Sequence, residues 1–410
     1  MFLKLARQSL LDRKGSVALA LMAMSISIFV LLGVEHIRHQ AKENFSSSVS
    51  GVDLIVGART GSLNLLLYSV FRIGSPTNNI RWKTYQAIAN NNNVKWAIPI
   101  SLGDSHKGYR VLGTSTDYFQ YFSYGKQRRL IFTHGSAFNP VFDVVLGAEV
   151  AKKLGYNLGD KLILAHGIAA TSFSMHDDRP FTVAGILAPT GTPVDQTLLV
   201  SLQGIEAIHI NWQRGMKMPG HAQTEVEQVD LQPKNITAFM LGLKSKMTTF
   251  RVQRAINDYA QEPLLAILPG VALSELWQMM NIVESTLLLV SILVFVAACL
   301  GVAAMLLSSI RERRCEIQLL RVIGAPPYFL FFLIELEALL ITLLSCVMST
   351  TLLATALFFL RDYLVSNFGL HIEINLFTEN SLYLFAALIS ASIIVAVIPS
   401  FSGYRQAKII

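Results

Sequence analysis

Four stretches of the chain are apolar for long enough to cross a bilayer: 16–34, 286–310, 338–360 and 381–401. A spanning helix needs about 20 mainly apolar residues. With their flanks, these stretches predict transmembrane helices over 16–38, 281–310, 328–360 and 381–401. Residues 39–280 follow another pattern, mixed in polarity and long enough for an independent hydrophobic core.

Within that mixed region the periodicity changes from place to place. Val141–Leu146 reads as a strand, Ala148–Leu154 as a helix and Lys161–Leu164 as a strand, with turn signals at Gly155 and at Gly159-Asp160. Phe181–Leu187 and Gln196–Val200 continue the β pattern. On either side, Trp82, Tyr85 and Ile88 mark one face of a helix within Asn79–Asn90, and Thr248–Gln261 predicts another helix. Ile236–Leu243 is a strand candidate. The expectation is an α+β domain in which two helix-and-strand halves flank a β-rich insertion at about 95–232. Gly51–Ile80 holds Gly51, Gly57, Gly61 and Gly74 around an apolar stretch. No G-x-x-x-x-G-K-[ST] pattern occurs in the chain, so a phosphate-cradling loop is rejected. A loop with a short helix is expected there, with a contact surface for another protein or a second protomer as the sharper reading.

Composition agrees with a membrane protein that has a large external part. Of 410 residues, 52% are hydrophobic and only 15% charged, against roughly 25% charged in soluble domains. Charge also sets the orientation. Segments 1–15, 311–327 and 402–410 carry Lys4, Arg7, Arg13, Lys14, Arg311, Arg313, Arg314, Arg321, Arg405 and Lys408 against Asp12, Glu312 and Glu316. The opposite loop, 361–380, holds Arg361 against Asp362, Glu373 and Glu379. Both termini are therefore expected in the cytoplasm and the large domain outside. The bases preceding the first apolar run also suit a signal peptide. The run is longer than a usual h-region, and Glu35-His36-Ile37-Arg38-His39 follows it in place of a small-residue cleavage site, so a retained anchor is expected. The basic residues are spread along the chain rather than patched, which argues against nucleic acid as a partner. Cys299 and Cys346 fall in apolar runs and Cys315 in an inner segment, so the external domain does not rest on disulfides.

The inner segment RERRCEIQLLRVIGAPP, Arg311–Pro327, is the most informative. Ile317, Leu320 and Ile323 recur at helical spacing beside a cluster of arginines, and Pro326 and Pro327 are expected to stop the helix. A short basic helix with an apolar stripe under a bilayer suits docking into a partner protein. The run Arg313, Arg314, Glu316, Ile317, Leu320, Arg321, Gly324, Ala325 closely resembles the R-R-x-E-I-x-x-L-R-x-x-G-A coupling segment of FtsX/MacB-type permeases of ABC transporters. Glu337-Ala338-Leu339-Leu340 matches that family's E-A-L-L. The opening Leu5–Lys14 and the β-rich stretch from Gly147 to Leu187 resemble the family with differences, and its tail is matched only by Pro399, Arg405 and Ala407.

The resemblance implies four transmembrane helices plus an α+β periplasmic domain with a split helix/strand subdomain and a β-rich insertion. It implies an amphipathic segment at 1–15, coupling through 311–327, a short periplasmic loop at 361–380 and a tail at 402–410. By the same resemblance, Arg313, Arg314, Glu316, Ile317, Leu320, Arg321 and Gly324 contact a separate cytoplasmic ATPase that binds ATP and Mg, while this chain binds no cofactor itself. A second protomer, membrane lipid and a periplasmic adaptor, lipoprotein or outer-membrane protein are the further partners. The setting is a bacterial inner membrane, and the task is to export or extract a lipoprotein, peptide or drug. The alternatives are a membrane-anchored regulator of an envelope hydrolase working with an ATPase, and a metal-responsive envelope sensor.

No nucleophile elbow, HExxH, paired-cysteine or Walker motif occurs. Catalysis by this chain is not expected. Glu335 and Glu337, near the start of the third span, would be costly deep in a bilayer; a structural role opposite the inner arginines is expected. His166, His176, His209 and His221 are the candidates for a metal, because imidazole and carboxylate suit zinc. Their spacing fits no standard zinc motif, so ordinary polar histidines in two long loops, 165–180 and 209–232, are expected.

Overall fold

The computed structural model describes residues 2–139, 141–167, 179–210, 212–213, 216–217, 231–312, 322, 324–368, 376 and 379–409. It forms two units. One comprises Met1–Gln40, Met280–Tyr363 and Ile372–Ile410, the other Ala41–Met279 with Leu364–His371. In chain order the helices are α1 (Phe2–Asp12), α2 (Lys14–Ser47), α3 (Ser62–Leu66), α4 (Trp82–Ala89), α5 (Asp117–Tyr121), α6 (Ala148–Leu154), α7 (Leu202–His209), α8 (Thr249–Asn257), α9 (Pro269–Glu312), α10 (Pro327–Phe368) and α11 (Glu379–Ile409).

The first unit is helical. Among the described residues, α2, α9, α10 and α11 are long and apolar enough to cross a membrane. Their outward positions stay apolar, with Leu19, Ile26, Val347 and Ile394 among the exposed side chains, as a lipid-facing surface requires. Their inward positions carry small hydroxyl residues. Thr342 and Ser392 meet at 2.5 Å between α10 and α11, and Thr342, Ser345 and Ser349 are fully buried. Small residues let helix backbones approach closely where no hydrophobic force drives them together. α1 buries Ala6, Ser9 and Leu10 and exposes Arg7, Gln8 and Leu11.

Two boundaries are set by the structure. Helical Val322 is followed by a turn at Gly324, and Pro327 is the first residue of α10. Proline suits that place, because its missing N–H would have no helical partner and its φ is already set. The expected loop 361–380 is helical over 361–368 and again from Glu379.

The second unit is built on one eleven-stranded sheet. Its strands are β1 (Leu54–Ala58), β2 (Val94–His106), β3 (Tyr109–Thr114), β4 (Phe132–Gly135), β5 (Asp143–Leu146), β6 (Lys161–Leu162), β7 (Ala165–His166), β8 (Phe181–Leu187), β9 (Thr197–Ser201), β10 (Ala238–Leu243) and β11 (Leu264–Ile267). The spatial order is β11-β1-β10-β2-β3-β9-β5-β8-β4, with β7 on β2 and β6 on β8. β2 is shared by the two halves. Its first part pairs antiparallel with β10, from Val94↔Leu243 to Ile100↔Ala238. Its second part pairs with β3, from Ser101↔Gly113 to His106↔Tyr109. The β-rich stretch is therefore continuous with the flanking halves rather than a separate sheet.

Alternation along the strands distributes the core. Ile55, Ile98, Ile100, Leu112, Val145, Leu199 and Met240 face one side, under α3 and α5. Leu54, Val56, Phe239 and Leu241 face the other side against α4 and α8. Val144, Leu146, Leu198 and Val200 meet α6 and α7. Strands buried on both faces read as continuous apolar runs. This explains β1, LIVGA, which lies in the segment expected to be a loop with a short helix. All five of its residues are buried. Gly57 is required there: a Cβ would lie 2.5 Å from Leu65 Cδ1 and 2.6 Å from Tyr68 Oη.

Candidate functional site

The coupling segment falls mostly outside the described residues, and Arg313, Arg314, Glu316, Ile317, Leu320 and Arg321 are among those not described. Its borders are described. α9 ends at Glu312. Gly324 has a φ of 96°, a left-handed turn that a side chain would strain. Pro326 then accepts a backbone hydrogen bond from Phe329 as α10 begins.

Ten residues into α10 lies Glu337, 2% exposed. The Arg13 guanidinium donates to its carboxylate at 3.1 Å, and the Ser9 hydroxyl donates to its other oxygen. The same Arg13 nitrogen reaches Ser9 Oγ at 3.1 Å, so α1, the turn before α2 and α10 meet at one buried polar knot. Arg13 was visible from sequence as an inner base; its pairing was not. Glu335 differs from its neighbour. Its carboxylate neighbours Ser400, and among the described residues the expected pairing with an arginine is found for Glu337 and not for Glu335. At another point of this unit Arg38 pairs with Glu35 at 2.6 Å and with Glu284 at 3.5 Å, tying α2 to α9.

In the external domain two of the four histidine candidates come together. His166 and Asp104 are cross-strand partners between β7 and β2. Directly opposed residues of an antiparallel pair have Cβ atoms about 5 Å apart, and His166 Nδ1 lies 3.1 Å from Asp104 Oδ1. β2 changes register between Leu102 and Ser105 where it pairs with β3. Such a bulge re-aims the side chains it carries, and Asp104 is one of them. His209 ends α7. Its Nδ1 bonds the Ile205 carbonyl at 2.7 Å, while its Nε2 lies 3.4 Å from His166 Nδ1 and 3.6 Å from Asp104 Oδ1. Asp104 is 2% exposed, and its hydrogen bond to His166 raises the pKa of that imidazole.

His106, two residues further along β2, has a separate structural role. Its Nδ1 donates to the Ile163 carbonyl at 2.6 Å and its Nε2 accepts from Tyr156 at 3.0 Å. Burial pushes its pKa down, so it stays neutral. His176 and His221 lie outside the described residues. Sequence reasoning missed Asp104, 62 residues from His166 in the chain, because local spacing carries no sign of a cross-strand partner.

Comparison with known proteins agrees with this architecture. The model of the MacB-like periplasmic core domain matches residues 17–259, and that of the FtsX-like permease C-terminal region matches residues 288–407. The chain belongs to the FtsX/MacB-type family of ABC transporter permeases. It is a permease component, and in this family the ATPase is a separate subunit. Among solved structures it is similar to the periplasmic region of MacB from Actinobacillus actinomycetemcomitans, at 11% identity and a TM-score of 0.35 over 57% of this chain and 94% of that one. It is also similar to the extracellular domain of the noncanonic ABC-type transporter YknZ from Gram-positive bacteria, at 10% identity and a TM-score of 0.32 over 52% of this chain and 98% of that one. No curated protein matches the sequence.

Proposed function

We propose that this permease carries motion from a cytoplasmic ATPase to its own periplasmic domain, and so exports or extracts an envelope substrate such as a lipoprotein, peptide or drug. Two copies work together in a bacterial inner membrane, with both termini in the cytoplasm. A periplasmic adaptor, lipoprotein or outer-membrane protein completes the path. The chain itself hydrolyses nothing; ATP and Mg belong to the ATPase.

The observation that supports this most is the buried knot of Ser9, Arg13 and Glu337. The segment 311–327 leads directly into α10. A push on that segment would reach α1 and α2 through charges that are costly to separate in a dry interior. In this reading Arg313, Arg314, Glu316, Ile317, Leu320, Arg321 and Gly324 form the docking surface.

Exchanging Glu316 and Arg321 for residues of opposite charge is the direct test. Exposed ion pairs contribute only about 0.2–1 kcal/mol each, so both are changed together. The Glu316→Lys/Arg321→Glu variant should insert normally and lose stimulation of the ATPase. Undiminished stimulation and undiminished co-purification with the ATPase would rule out this docking surface.

Orientation is tested separately. With the three native cysteines replaced, Lys152→Cys should react with a membrane-impermeant maleimide in spheroplasts, whereas Arg7→Cys and Arg405→Cys should react only after lysis. Labelling of Lys152→Cys only after lysis would invert the topology.

A further inference from the structure

We propose that Asp104, His166 and His209 form a binding site for a divalent first-row cation, with zinc the ion the donor set suits best. Spacing alone suggested ordinary loop histidines; the geometry brings two of them to a buried carboxylate. The three side chains come from β2, β7 and α7 and bring three potential ligand atoms together.

Hydrogen bonding orients the donors. Since a carbonyl only accepts, His209 Nδ1 carries the proton in its bond to Ile205. In the neutral ring Nε2 then presents its lone pair to Asp104 and His166. This is how metal-ligating histidines are commonly held, with the second ring nitrogen fixed by a carbonyl or carboxylate. His166 Nδ1 faces the same two groups. These three potential ligand atoms converge beside a carboxylate that is 2% exposed, where one cation would contact all three.

The dimensions fit. The donor atoms form a triangle with edges of 3.1, 3.4 and 3.6 Å. A point about 2.0 Å from all three follows from those edges, which is the usual zinc–nitrogen or zinc–oxygen bond length. Tetrahedral zinc with such bonds separates its ligands by about 3.3–3.4 Å. The C-terminal end of α7, with its outward carbonyls, adds negative potential beside His209. Two nitrogens and one carboxylate suit zinc and its borderline neighbours better than calcium or magnesium, which prefer oxygen alone. The His166 and His209 side chains are 46% and 30% exposed. A fourth position therefore opens to solvent, as in zinc sites that exchange a water or an incoming ligand rather than in closed structural ones.

The test uses the full-length protein in detergent, carrying no polyhistidine tag and stripped with EDTA. Isothermal titration with zinc chloride should give one ion per chain, with a raised melting temperature. Cobalt(II), used as a spectroscopic stand-in, should give the visible absorption of a tetrahedral nitrogen–oxygen site. His166→Ala, His209→Ala and Asp104→Asn should each weaken zinc binding by more than the roughly 10–100-fold that loss of an outer-sphere partner costs. The histidines are part-exposed and the Asp104→Asn change keeps the side chain's shape, so circular dichroism should confirm that each variant folds. Absence of stoichiometric zinc in the wild type would overturn the proposal. So would zinc binding that all three folded variants retain, which would put the ion on other residues.

Discussion

Glu337→Ala should lower the stability of the membrane unit by about 3–5 kcal/mol, the cost of leaving a buried charge without its partner. The side chains of Glu337 and Arg13 are 3% and 13% exposed. Only one Arg13 nitrogen is paired; Nε and Nη1 have no partner among the described residues. Among the described residues, removing the carboxylate therefore leaves the guanidinium only its bond to Ser9. The loss should appear as a lower melting temperature and lower yield of full-length protein in detergent. In membranes the same variant should uncouple transport from ATP hydrolysis while the ATPase still binds. Arg13→Met/Glu337→Leu, which removes both charges and keeps the volume, should recover most of the stability and not the coupling. If the single variant were as stable as the wild type, the knot would not be structurally important.

Phe239→Ala should have an effect of similar size in the external domain, about 3–5 kcal/mol from lost burial and the cavity left behind. Phe239 is fully buried in β10. Its ring meets Tyr85 of α4 edge to face at 5.3 Å between centroids. It packs in the core that α4 and α8 close over β1 and β10. Those elements come from 54–58, 82–89, 238–243 and 249–257, so the cavity would open where distant parts of the chain meet. Protease resistance of the domain in the intact protein should fall accordingly, and Phe239→Leu should recover much of it. A Phe239→Ala domain as resistant as the wild type would mean that this core relaxes to fill the space.

These two sites show where the sequence could be read and where it could not. The spans were legible because about 20 consecutive apolar residues have few other uses. The strand Phe181–Leu187 and the helix Ala148–Leu154 are found at their expected bounds, since turn residues bracket them. β1 was not legible. Buried on both faces, it lacks alternation, and Gly57, needed for close approach of α3, reads as a loop signal. The pairing of Arg13 with Glu337, 324 residues apart, has no local signature either. The same holds for Asp104. The histidines pointed to a chemistry, but the carboxylate that joins them is placed by strand register and a bulge.

The order β11-β1-β10-β2 also bears on how the protein is made. β1 is synthesised early, yet both of its sheet neighbours lie beyond residue 237. At about 5–20 residues per second, roughly 10–40 s pass between the emergence of the strand and the arrival of its partners. Throughout that interval LIVGA is an apolar strand with two unpaired edges on the far side of the membrane, a state prone to pair with the wrong chain. Non-local strands of this kind fold slowly. The first strand of this sheet can therefore complete its pairing only after the last strands have been made.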